Sequence, residues 1–178
     1  MPLRLNEKET ESFLRRAYLA ESARLACLAD ADAPQGEYRR PVFGEGNAAA
    51  SVLLIGEAPG AEETKLGHPF VGKAGKQLDA LFGEFGITRA EAYITNVVKY
   101  RPVVRSPKSA RNRTPLPKEV EASLPLLCEE ISLLQPAFIL TLGNTPLRAA
   151  LRLCKRAPET VGTLHGEQLS LMADGHAF

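Results

Sequence analysis

The chain has 178 residues, 44% of them hydrophobic, and a formal net charge of +1. That length builds a sizeable core and reads as one domain over residues 1–178, while the near-neutral balance names no partner. No apolar run reaches the roughly 18 residues of a membrane span, and the N-terminus, MPLRLNEKETESFLRR, lacks a signal-peptide core. Three scattered cysteines, Cys27, Cys128 and Cys154, with no CxxC pair, predict reduced thiols in a cytoplasmic protein, without a disulfide framework or a spacing-defined metal site.

Residues 7–28 read as an amphipathic helix, with Phe13, Leu14, Tyr18, Ala20, Leu25 and Leu28 on one stripe. A loop rich in Asp, Ala, Pro and Gly follows over 29–47. Residues 52–55 are apolar throughout, as in a strand covered on both faces. Residues 75–85 read as a helix buried along Leu78, Leu81, Phe82 and Phe85, with Gly86 as its C-cap. A second strand spans 92–98, and a loop with four prolines spans 100–117. Pro117 near the start of the next helix, 117–134, and Glu119 and Glu121 in its first turns suit a helix N-terminus. A third strand at 137–142 and a helix at 145–153 follow, and 160–172 alternates weakly, as one or two strands do. Strand, loop and helix in threefold succession predict an α/β fold, a parallel sheet with helices on both faces.

The chemistry concentrates at the strand ends. Glu57 follows the first strand within Gly56-Glu57-Ala58-Pro59-Gly60, where ligands of open α/β sheets bind; it is either a ligand carboxylate or a turn residue. Phe70, in a Gly/Pro loop, either stacks on a planar ligand or anchors the loop to the core. Asn96 closes an apolar strand, and its amide needs a partner, a ligand or a neighbouring loop, because leaving it unsatisfied costs about 1–3 kcal/mol. Residues 99–118 carry Lys99, Arg101, Arg105, Lys108, Arg111, Arg113 and Lys118 and no acid. Such a one-sign segment is either a phosphate-binding loop or a solvated face. His68, His165 and His176 lack partners at triad or metal spacing, and no Walker-type phosphate loop is present.

The blocks Val42–Asn47 (VFGEGN), Leu54–Gly60 (LIGEAPG), Gly67–Gly75 (GHPFVGKAG) and Ile94–Lys99 (ITNVVK) resemble the uracil-DNA glycosylase superfamily, above all its family 4. The likeness runs over about residues 42–170. It implies a three-layer αβα sandwich with a four-stranded parallel sheet, and a monomeric, monofunctional DNA-repair hydrolase that flips uracil out of DNA and cleaves its N-glycosidic bond. By position, Glu57 is the catalytic carboxylate for the attacking water. Gly56, Ala58, Pro59 and Gly60 present backbone to the base, and Phe70 stacks on it. Asn96 reads it, its amide matching the N3–H and O4 edge of uracil, whereas cytosine presents the reverse order. Lys99, Arg101, Arg105, Lys108, Arg111 and Arg113 are the expected phosphate contacts.

Two departures accompany the resemblance. Family 4 carries a [4Fe–4S] cluster on four cysteines, but Tyr100 stands where the family has Cys-Arg-Pro and Ser123 where another cysteine falls. With Cys27 alone left of the first pair, the expectation is no cofactor and packing in place of the cluster. The family's His-Pro-[Ser/Ala] loop lies beyond Leu164-His165-Gly166, and the sequence ends at Phe178 without it. Truncation, an unusual active site, or a member that binds DNA or a base without cleaving it are the three readings of that difference.

Overall fold

A reciprocal cap starts the first helix. Asn6 Oδ1 accepts the Glu9 amide and Glu9 Oε2 accepts the Asn6 amide, each at 3.0 Å, satisfying two backbone donors at once. The computed structural model describes residues 5–30, 37–169, 172–173 and 176–177. The chain runs α1 (Glu7–Asp30), β1 (Glu45–Gly46), β2 (Val52–Gly56), α2 (Ala61–Leu66), α3 (Lys73–Glu84), a 3₁₀ turn (Arg89–Glu91), β3 (Ala92–Asn96), β4 (Val103–Ser106) and β5 (Ser109–Asn112). It continues through α4 (Pro117–Leu134), β6 (Phe138–Thr141), α5 (Asn144–Leu153), α6 (Val161–Leu164), β7 (Met172–Ala173) and β8 (His176–Ala177).

The central sheet has the order β1-β3-β2-β6. β2, β3 and β6 are mutually parallel, as the strand–helix alternation predicted, and β1 closes one edge antiparallel. The fourth strand therefore comes from residues 45–46. The segment 160–172 instead supplies the short helix α6 and, at its end, β7, which pairs with β8.

Successive residues of β2 point to opposite layers. Leu53 and Ile55 join Tyr93 against Leu14 and Leu25 of α1, Leu127 and Ile131 of α4 and Ala149 of α5. Leu54 joins Ile94 against Leu78 and Phe82 of α3. Leu53, Leu54 and Ile55 are all fully buried, each contributing about 1.5–3 kcal/mol, so the short apolar run read from sequence is the centre of a three-layer αβα sandwich. Leu140, paired with Leu54, and Phe138 are largely exposed where β6 forms the other edge.

Several local readings change. The buried stripe of α1 is Thr10, Leu14, Ala17, Glu21 and Leu25, a three-and-four spacing. Phe13 and Leu28 lie outside it; the Arg16 guanidinium sits 4.3 Å over the Phe13 ring at the surface. Gly86 stands just after the α3 cap residue Phe85, at φ +65°. Its amide donates to Gly83 O and that of Ile87 to Phe82 O, closing the helix as a Schellman motif. The segment read as the loop 100–117 contains the β4–β5 hairpin, paired from Val103–Asn112 to Ser106–Ser109. Among the described residues no helix is long and apolar enough to cross a membrane.

Candidate functional site

The register of the sheet brings the first two candidates together. Gly56 is the partner of Asn96 across the parallel β2–β3 pair, so both strands deliver their last residues to one point. The ladder continues beyond, with the Val97 amide donating to Gly56 O at 2.9 Å and that of Val98 to Glu57 O at 3.1 Å. Glu57 is thus held on a rigid extension of the sheet.

Phe70 closes on the same point. A Cβ on Gly56 would lie 2.4 Å from Asn96 Oδ1 and 2.5 Å from Phe70 Cζ, so only glycine lets the ring and the amide meet over the strand end. Phe70 itself has φ +54°, a conformation that costs a non-glycine residue about 1–3 kcal/mol. Two features hold it there. Arg89 donates to Phe70 O at 2.5 Å and to Pro69 O at 3.3 Å while its Nε donates to Asp79 Oδ1 at 2.6 Å. Gly75 of α3 leaves room for the Phe70 carbonyl, which a Cβ would approach to 1.7 Å.

A third brace joins the two glycine loops. Glu63 of α2 accepts the Gly60 amide on Oε2 at 3.1 Å and the Gly72 amide on Oε1 at 2.7 Å. The result is a cavity of about 770 Å³ lined by Gly56, Glu57, Ala58, Gly60, Phe70 and Asn96 among others. Six of the seven residues read as catalytic or base-binding therefore share one cavity. Pro59 is buried and not among the lining residues.

Asn96 is 3% exposed. Its backbone carbonyl accepts the Lys99 ammonium at 2.5 Å, and no hydrogen bond from its side-chain amide to another described residue is present, which leaves the amide for a ligand. Glu57 Oε2 accepts the Thr145 hydroxyl of α5 at 2.5 Å. Thr145, Arg89 and Glu63 were not among the residues read from sequence. The signal for Thr145 was its place just past the third strand, on the same edge as Glu57; Arg89 and Glu63 carried none.

The basic segment divides in two. Lys99, expected on phosphate, is fully buried; its Nζ donates to Glu130 Oε2 at 2.6 Å and to Thr95 Oγ1 at 2.7 Å. This is a correction: a cation inside the core, paired with α4, has no path to a phosphate. Burial draws its pKa below the ordinary lysine value while Glu130 opposes the shift. Arg113 grips both oxygens of Glu119 at 2.6 and 2.7 Å. Arg101 donates to Asn112, Glu37 and the Ala110 carbonyl, bracing the root of the hairpin. Arg105, Lys108 and Arg111 are exposed on the hairpin, whose Asn112 lines the cavity. His68 pairs with Glu45 at 2.7 Å on the surface, and His165 is exposed after α6.

The residues present do not fit an iron–sulfur cluster. Tyr100 is buried and tilted against Tyr38 at 4.3 Å; burial, then the Glu119 charge, push its hydroxyl well above the ordinary tyrosine range. The Ser123 hydroxyl donates to Glu119 O at 2.8 Å, and Cys27 is exposed on α1. Among the described residues no cluster of His, Cys, Asp or Glu could hold a metal.

The profile described as "Uracil DNA glycosylase superfamily" matches residues 43–176. The chain is 42% identical over 135 residues to a Type-4 uracil-DNA glycosylase of Pyrobaculum aerophilum, covering 75% of this chain and 65% of that protein. To a Type-4 uracil-DNA glycosylase of Thermotoga maritima it is 45% identical over 106 residues, 60% of this chain and 52% of that one. To that of Saccharolobus solfataricus it is 38% identical over 130 residues, 72% of this chain and 57% of that one. The matched part thus spans about half to two thirds of these relatives' length. With the profile covering most of the sequence and the cavity built from its motif residues, the chain belongs to the uracil DNA glycosylase superfamily.

Proposed function

We propose that this protein is a monofunctional glycosylase that takes uracil from DNA. The observation that carries this reading is Asn96, a buried residue whose side-chain amide lines the cavity beside the Phe70 ring with no hydrogen bond to another described residue, together with the Glu57 carboxylate at the same cavity. A flipped base needs a stacking face, edge hydrogen bonds and an enclosed pocket. The Asn96 amide would hydrogen-bond the N3–H and O4 of uracil, and Phe70 would cover its face. In the reaction the C1′–N1 bond breaks, its electron pair leaves with the base, and water oxygen bonds to C1′. The water proton passes to Glu57, and the uracil anion takes up a proton as it departs. A carboxylate near the cationic sugar and fixed donors at the base favour both charge changes.

Arg105, Lys108 and Arg111, exposed on the hairpin beside the cavity mouth, are the proposed phosphate contacts. Tyr38, Tyr100, Arg113, Glu119 and Ser123 form a packed, hydrogen-bonded plug, and the protein works without an iron–sulfur cofactor. The test is uracil release from uracil-containing single- and double-stranded oligonucleotides. Wild type releases the base, and Glu57→Gln and Asn96→Asp reduce the rate at least about 100-fold. DNA binding without any uracil release by wild type, across salt conditions, refutes the enzyme and leaves a binding protein.

A further inference from the structure

We propose that Thr145 is a positioning residue for Glu57, an inference that rests on the glycosylase reading above. The side chain of Glu57 has three rotatable bonds and projects from a loop whose backbone alone is fixed by the sheet. Something must choose one rotamer. The Thr145 hydroxyl does so by donating to Oε2 at 2.5 Å. No described residue hydrogen-bonds Oε1, so that oxygen is the one offered to water in the cavity.

The donor stands on a firm base. Thr145 lies in the first turn of α5 (Asn144–Leu153), whose Pro146, Ala149, Ala150 and Leu151 are buried. Asn144 Oδ1 accepts the Val161 amide at 2.9 Å and ties the start of α5 to α6. A β-branched side chain in a helix has few rotamers, so the hydroxyl is aimed rather than searching. Glu57 Oε1 then accepts a hydrogen bond from the water whose oxygen attacks C1′. A reacting group displaced by about 1 Å loses on the order of 100-fold in rate.

The alternative is that Thr145 only stabilises the start of α5, and a double-substitution cycle separates the two roles. Single-turnover rates and DNA affinity are measured for wild type, Thr145→Val, Thr145→Ser, Glu57→Gln and the Thr145→Val/Glu57→Gln pair. Thr145→Val is expected to lower the rate about 10- to 100-fold with unchanged DNA affinity, and Thr145→Ser to restore most of it. In the Glu57→Gln background Thr145→Val is expected to add nothing. A wild-type rate in Thr145→Val, or the same fold-loss in both backgrounds, overturns the proposal. If wild type releases no uracil, the glycosylase reading fails by itself. The coupling is then read from urea unfolding of a cycle of Thr145→Val with Glu57→Ala, which removes the acceptor: non-additive midpoints sustain the Thr145–Glu57 link, and additive ones overturn it.

Discussion

Lys99→Met probes the residue whose reading changed most between sequence and structure. All three ammonium protons are used, by Thr95 Oγ1, Asn96 O and Glu130 Oε2. Glu130 in turn accepts the Tyr18 hydroxyl at 2.6 Å and the Thr95 hydroxyl at 3.0 Å on Oε1. Both side chains of the ion pair are fully buried. Removing the cation leaves a buried carboxylate with two neutral donors, and breaking such a pair costs about 3–5 kcal/mol. With a urea m-value of about 2 kcal/mol/M, the unfolding midpoint falls by about 1.5–2.5 M at unchanged m. The pair Lys99→Met/Glu130→Leu recovers part of this by removing both charges, and the Thr95 hydroxyl, left without partners, still costs about 1–3 kcal/mol. Because Lys99 also holds the Asn96 carbonyl, uracil release falls with stability while the salt slope of DNA binding stays as in wild type. A midpoint within about 0.3 M of wild type, together with a shallower salt slope, would refute the buried network and restore Lys99 to the phosphate contacts.

Three further outcomes are expected. Arg89→Ala frees the Phe70 carbonyl and lets its left-handed backbone relax, so single-turnover uracil release drops about tenfold or more; in a Phe70→Ala background the same change has little further effect, and full additivity would deny the link. Arg105→Glu/Arg111→Glu weakens DNA binding and makes the slope of log K against log salt shallower by about 1.8 if each arginine meets one phosphate; an unaltered slope removes the hairpin from the interface. For Glu119, burial raises the carboxyl pKa, but the Arg113 guanidinium and the Leu116 amide outweigh it and hold the pKa below the ordinary 4.5. A depressed carboxyl contributes stability above that value that is lost as pH falls through the folded-state pKa. Urea midpoints of wild type should therefore decline below about pH 4.5, and Arg113→Met should flatten that decline.

The sequence by itself determined the central strands, the run of motifs and the edge of the sheet where the site lies. Leu53, Leu54 and Ile55 are apolar because both faces of β2 are covered, and that pattern is local. Gly56, Phe70 and Asn96 could be named because their motif blocks are contiguous. The β4–β5 hairpin was not legible, since its exposed strands bear charge rather than an alternating apolar face. Nor was the buried stripe of α1, where Thr10 and Glu21 occupy inward positions that hydrophobicity assigns to the surface.

Only the tertiary structure decided what each charge does. Lys99 looks like one more cation in a basic run until α4 brings Glu130, 31 positions away, against it. Arg113 is likewise turned inward by Glu119, while Arg105 and Arg111 are left outside. Thr145 reaches Glu57 across 88 positions, and Arg89 reaches Phe70 across 19. Such pairings depend on the register of β2 with β3 and β6. That register is fixed by packing the whole apolar layer, not by any stretch of sequence read alone.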